Sequence, residues 1–319
     1  MDLIIYMKKY YNININHIMN KLFPITFSIP EEKIINFIPN KEKILSSLIP
    51  GKLETYIYNN ENDYYKEYQK SYFALTTKKG GWDCLRHYEI ILNGCIPYFP
   101  IIEKCPENTL FLFPKDLILQ GNIMFERFRL LSIDNLQVSD INDYNSLLFK
   151  LLNYTKQNLT TKEICKYILN KTNHNTVTNM LYLSGNTGPD YLRCLTLHGF
   201  KQLFGEKCHD YPKIKHLYKE ENNNYSKLYG KGITYTNLLH QDLHNNNLDY
   251  NIENCIKNKY YDLIIYGSYE RGMPYYDLIC KTYKSNEIIL LYGEDVPHSV
   301  DFFTNMLKKG HFIFVRELL

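Results

Sequence analysis

SYFALTTKKGGWDCLRHYEIILNGCIPYFP, residues 71–100, is the stretch on which the reading of this chain turns. A β-rich run at 72–76 leads into a basic glycine turn of Lys78, Lys79, Gly80 and Gly81. A helix is predicted to open at Asp83, and a second apolar strand at 95–99. Strand, helix and strand in this order form a parallel unit. Arg86 and Glu89 are three apart and so share one helix face. A strand, a glycine turn and a helix N-terminus together present backbone N–H groups to an anion. An arginine beside them can neutralise a diphosphate, and a carboxylate one turn on can bind ribose hydroxyls. The same residues also suit a plainer role, a tight turn with an Arg–Glu pair on a helix surface.

Outward from this segment the α/β alternation continues. Before it, prolines 24, 30, 39 and 50 break the chain into short extended pieces. A helix is expected over 8–22, a strand at 55–58 and a short helix at 64–70. After it come a possible strand at 111–113 and a helix at 141–156. Thr160 and Glu163 then have the spacing of a capping box for a helix running to about 170. The polar run 171–179 reads as a linker. Beyond it, strands are expected at 181–183, 262–266, 287–292 and 311–315, and helices at 190–204, 252–258, 274–283 and 299–309. The expected fold class is therefore α/β, with two Rossmann-like halves facing a cleft. The division falls into residues 1–174, a nucleotide-binding domain, and 175–319, a second Rossmann-like domain. Ligands of such sheets bind beyond the carboxyl ends of the strands.

The whole chain narrows the function classes. A length of 319 residues suits two domains, and 45% hydrophobic content can fill two cores. With 22% charged residues, a net charge of +3 and dispersed basic residues, no nucleic-acid partner is expected. No stretch approaches the roughly 20 apolar residues that span a bilayer. The short apolar run near the N-terminus is followed by lysines and lacks a small-residue cleavage site, so no signal peptide is expected. The eight cysteines include no CxxC pair, which points to reduced core thiols and a cytoplasmic setting, and no zinc-ligand spacing is present.

KKGGWDCLRHYEIILNGCIPYF, residues 78–99, resembles the donor-binding segment of exostosin-like and related GT-B glycosyltransferases. Those families share a glycine-containing turn, then an arginine, then a glutamate on the same helix, then Gly-Cys-Ile-Pro or a near variant. The resemblance is strong over about thirty residues and extends more weakly over roughly 25–120. It implies that Arg86 contacts the diphosphate of a nucleotide-sugar and Glu89 its ribose. Lys79 would join the turn, Gly80 and Gly81 would let the backbone approach phosphate, and Gly94 would be structural. The sequence has no DxD pair, on which metal-dependent transferases generally rely. The implied chemistry needs no metal and no cofactor beyond the nucleotide-sugar co-substrate. In those families the donor half comes second in the chain, whereas here it comes first. That order implies a permuted GT-B enzyme, a donor half fused to a different α/β domain, or part of a longer chain.

The second half offers polar loops after its strands. Asp295 and His298, after the strand at 287–292, are candidate catalytic bases for an acceptor hydroxyl or groups that steer the donor, or simply caps of the next helix and ordinary loop polarity. Arg271 can face a phosphate or pair with Glu270. The loop 185–190 can bind a phosphate or acceptor through its amides, and 228–232 reads as a turn. The expectation is a glycosyltransferase carrying a sugar from a nucleotide-sugar to a hydroxyl of a glycan, protein or small molecule, by inverting displacement. The alternative is a non-catalytic nucleotide-sugar-binding protein or degenerate transferase.

Overall fold

The computed structural model describes residues 20–220, 225–295 and 300–318. Most of the helix expected over 8–22 lies outside these residues. The first half runs β1 (Leu22–Pro24), β2 (Lys43–Leu45), α1 (Glu61–Gln69), β3 (Ser71–Leu75), α2 (Leu85–Leu92) and β4 (Ile96–Tyr98). Three helices follow: α3 (Lys115–Phe128), α4 (Val138–Asn158) and α5 (Thr161–Thr172). The second half runs β5 (Met180–Leu183), α6 (Tyr191–Phe204), β6 (Cys208–Tyr211), α7 (Asn246–Tyr250) and α8 (Ile252–Lys257). It closes with β7 (Leu263–Tyr266), α9 (Tyr276–Thr282), β8 (Ile288–Tyr292), α10 (Val300–Lys309) and β9 (Phe312–Val315).

These strands form two parallel sheets. The smaller has the order β2-β3-β4, the larger β1-β9-β8-β7-β5-β6. Counted from β5, the second half has the doubly wound order 2-1-3-4-5. Its strand direction of growth reverses between β5 and β7, where such sheets open a crevice. Side chains alternate across this sheet as the two-residue period requires. Met180, Tyr182, Leu263, Ile265, Ile289 and Leu291 enter one core, while Leu181, Leu183, Ile264, Tyr266, Leu290 and Tyr292 enter the other. The first of these cores continues without a break into the smaller sheet through Phe73, Ala74 and Ile96.

The first segment contributes directly to the second sheet. β1 pairs with β9 in parallel, Leu22 opposite Ile313 and Pro24 opposite Val315. Pro24 fits because β1 is an edge strand, where a missing N–H costs no ladder bond. Helix α5 packs along α6, and Cys165 Sγ donates to the carbonyl of Thr196.

Sequence and structure part company at several elements. Residues 55–58 form no strand; a 3-10 turn at Leu53–Thr55 runs into a loop. Residues 111–113 are a turn. β1, β2 and β6 were not expected. The first two have three residues each, too few for a period to show. β6 reads Cys-His-Asp-Tyr, and its polarity hides a buried strand.

Most of that polarity is satisfied internally, although Asp210 Oδ2 is buried without a hydrogen-bond partner and the bonds from Lys201, Tyr218 and His244 all reach Oδ1. Asp210 accepts from Lys201 Nζ of α6 at 2.8 Å, Tyr218 Oη at 2.7 Å and His244 Nδ1 at 3.0 Å. His244 Nε2 reaches Asp249 of α7 at 2.9 Å, and His209 Nε2 reaches the same carboxylate at 2.8 Å. Burial opposes charging His244, but hydrogen bonds and charge from Asp210 and Asp249 outweigh it and hold its pKa above the ordinary value. This cluster fixes the far end of the long excursion 212–245 between β6 and α7, which supplies one wall of the cavity described below.

Candidate functional site

Helix α2 is buried along its whole length, so its polar side chains need partners inside the fold. Arg86 Nε donates to Thr76 Oγ1 at 3.1 Å and Nη2 to the Thr77 carbonyl at 2.9 Å, both just past the carboxyl end of β3. His87 Nε2 lies 2.9 Å from the Trp82 carbonyl, which makes Nε2 the protonated nitrogen. Nδ1 is then free to accept from Thr76 Oγ1 at 2.7 Å. Burial, with Arg86 alongside, pushes the His87 pKa down to about 3, so the imidazole is neutral. The chain of bonds from Arg86 through Thr76 to His87 and Trp82 holds the guanidinium in place.

The glycine turn does something other than expected. The amides of Trp82 and Asp83 donate to the Glu317 carboxylate at 3.1 and 2.9 Å. A Cβ on Gly81 would stand 2.4 Å from Glu317 Oε1, and one on Gly80 would stand 2.1 Å from Asp295 Oδ2. The turn has room for a close anion, and the chain fills it with its own carboxylates. Helix α2 opens at Leu85 rather than at Asp83. The Asp83 side chain faces elsewhere, accepting from the Phe27 amide at 2.7 Å and Tyr88 Oη at 2.9 Å. Burial raises its pKa to about 7. Arg316, itself buried, pairs with Glu317 at 2.8 Å and with Asp295, and donates to the carbonyls of Asp83 and Gly293.

Glu89, one turn beyond Arg86, is also buried and is held by both halves. Tyr64 Oη of α1 donates to Oε2 at 2.8 Å, and Thr234 Oγ1 of the excursion donates to Oε1 at 2.6 Å. Burial raises its pKa. Thr234 also meets Tyr65 Oη at 2.7 Å and donates its amide to Glu61 at 2.7 Å.

Across from α2 stand the loops at the carboxyl ends of β5, β7 and β8. Gly185 has no room for a side chain: a Cβ there would lie 2.2 Å from the Arg271 carbonyl, so the β5 and β7 loops touch at the crevice. Asp190 caps α6 through the Arg193 amide at 2.9 Å and accepts from Ser268 Oγ at 2.7 Å. Arg271 pairs with Asp190 at 3.0 Å and with Glu294 at 3.2 Å, rather than with Glu270. Both carboxylate oxygens of Glu270 are buried without a hydrogen-bond partner, and burial beside Asp190 raises its pKa to about 8. Asp190, Glu270 and Glu294 are the described residues placed to share a cation, with carboxylate oxygens within 4.8 Å of one another. The Arg271 guanidinium already bridges two of them. Asp295 is about half exposed. His298 lies outside the described residues.

One cavity of about 830 Å³ joins these parts. Lys79, Arg86 and Glu89 line it from the first half, and Arg271, Glu294 and Asp295 from the second. Leu53, Tyr56 and Tyr58 also line it, as do Leu228, Tyr229 and Ile233, and Lys231 Nζ ties these two segments into an arch by donating to the carbonyls of Tyr56 and Tyr58 at 3.1 and 2.6 Å. Gly80 and Gly81 are not among the lining residues. Comparison with family models, curated proteins and solved structures returns no match.

Sequence reasoning missed Thr76, His87, Tyr56, Tyr64, Thr234, Arg316 and Glu317. Arg316 and Glu317 carried a usable signal, being charged residues directly after a strand. Thr76 and His87 bond to Arg86, Trp82 and each other within the β3–α2 segment, whereas Tyr56, Tyr64 and Thr234 act through contacts more distant in sequence, which no local pattern announces.

Proposed function

We propose that this chain is a glycosyltransferase that takes a sugar from a nucleotide-sugar donor, built on a GT-B-like pair of halves in permuted order. The observation that carries this reading is that Arg86 and Arg271, from different halves, line one cavity at the carboxyl edges of two parallel sheets. The donor diphosphate rests against Arg86 and Lys79, and Glu89 retains acceptor capacity for a ribose hydroxyl beyond its two protein donors. Asp295 takes the acceptor proton as the acceptor oxygen bonds to the anomeric carbon. The bond from that carbon to the phosphate oxygen breaks, and the nucleoside diphosphate leaves with its charge held by the arginines. Displacement in one step inverts the anomeric centre, and cationic side chains do the work of a metal.

The test is turnover of a panel of nucleotide-sugars by wild type and Asp295→Asn. Transfer or hydrolysis that is lost in the variant supports the reading. Binding without any turnover favours a non-catalytic nucleotide-sugar-binding protein, a rival to which the Asp295–Arg316 ion pair lends weight because it engages the base.

A further inference from the structure

The glycine turn cannot serve as the phosphate cradle while Glu317 holds its amides. The cavity itself offers a different donor set. Arg86 uses Nε and Nη2 on Thr76 and Thr77, and neither bond engages Nη1. Beside this guanidinium stands Tyr56, whose buried hydroxyl is turned to the Arg86 side chain and has no other hydrogen-bond partner. The Tyr56 backbone is fixed by Lys231, so the ring keeps its place on the cavity wall. A guanidinium only donates, so the buried hydroxyl's own proton lacks an acceptor, and native structures keep such groups where something else completes them. A guanidinium arm and a phenol donor side by side match the oxygens of a phosphate. Next to them the arch presents Tyr229, 68% exposed, and Leu53, 84% exposed, on the same cavity.

We propose that Arg86 and the Tyr56 hydroxyl form the phosphate site of this cavity, with the base of a nucleoside diphosphate stacked on Tyr229 under the arch. This rests on the nucleotide-sugar reading and specifies how that ligand is held. Stacking on an aromatic face tolerates any base, so the site binds several nucleoside diphosphates with similar affinity. Tyr56 is a binding residue that supplies the donor the glycine turn does not.

Calorimetry with ADP, GDP, UDP, CDP and inorganic pyrophosphate tests this on wild type, Tyr56→Phe and Tyr229→Ala, with unfolding midpoints measured alongside. Tyr56→Phe, which removes only the hydroxyl, weakens nucleoside diphosphates and pyrophosphate alike, by roughly tenfold or more. Tyr229→Ala weakens the nucleoside diphosphates and leaves pyrophosphate unchanged. Wild-type affinities in a folded Tyr56→Phe, or equal losses for pyrophosphate and nucleoside diphosphates in Tyr229→Ala, overturn the proposal and leave the nucleotide reading standing. A wild type that binds none of the five probes overturns both.

Discussion

The Glu317 carboxylate lies 2.9 Å from the Asp83 amide and 3.1 Å from that of Trp82, so the turn that the sequence offers to a phosphate is closed by the protein's own anion. Glu317→Ala leaves two N–H groups and the buried Arg316 without this partner. Urea unfolding is expected to show a loss of about 1–3 kcal/mol. Pyrophosphate affinity in the folded variant stays at the wild-type value, because the turn glycines are not among the cavity-lining residues. A gain in affinity would mean that the turn is a latent anion site.

Thr234 joins the two halves through Glu89, and it does so at φ 75°, a backbone region that β-branched residues rarely enter. Thr234→Ala removes one of the two protein donors to a buried carboxylate and is expected to cost about 1–3 kcal/mol. Thr234→Ser keeps the hydroxyl and drops the branching methyl. Its stability is expected within about 0.5 kcal/mol of wild type. Equal losses in both variants would assign the effect to the methyl group rather than to the bond with Glu89.

Glu270 titrates about 8, above its ordinary value, because its carboxyl is buried. Between those two values the folded chain keeps a proton that the unfolded chain has released, so wild-type stability falls as pH rises across the window. Glu270→Gln carries no such proton. Unfolding measured from pH 5 to pH 9 should therefore show the variant gaining on wild type up to about pH 8 and levelling off above it, by at most about 1.4 kcal/mol per pH unit. A constant difference would place Glu270 in a solvated setting.

His244 gives a slope of the same sign. Its pKa is raised, so its contribution is complete below the ordinary histidine value and fades as pH climbs through the folded one. His244→Gln is expected to be less stable than wild type by about 1–2 kcal/mol at pH 5.5, with the gap narrowing by pH 9. Limited proteolysis of residues 241–250 should follow the same trend, since His244 ties Asp249 of α7 to Asp210 of β6.

Much of the architecture was readable because its strands are continuous apolar runs bounded by glycine or charge. Leu263–Tyr266 and Ile288–Tyr292 lie within a residue of where the pattern puts them, as buried parallel strands should. Leu22–Pro24 escaped because its identity depends on β9, a partner at the far end of the chain. Arg86 and Glu89 do share one helix face and one cavity. The start of that helix was misplaced because Asp83, a natural N-cap by type, spends its carboxylate on Phe27 and Tyr88 instead. The glycine turn was misassigned for a related reason. Its chemistry called for an anion, and a sequence cannot say whether that anion is a ligand or a residue such as Glu317.

The pairing of β1 with β9 also sets an order of events in synthesis. Leu22 leaves the ribosome long before its partner Ile313. Until then β1 has no sheet to join, and β9, when it arrives, completes a pairing of very high sequence separation. Contacts of this kind form slowly and leave strand edges open meanwhile. The nascent chain is thus a client for a holding chaperone over the interval between β1 and β9.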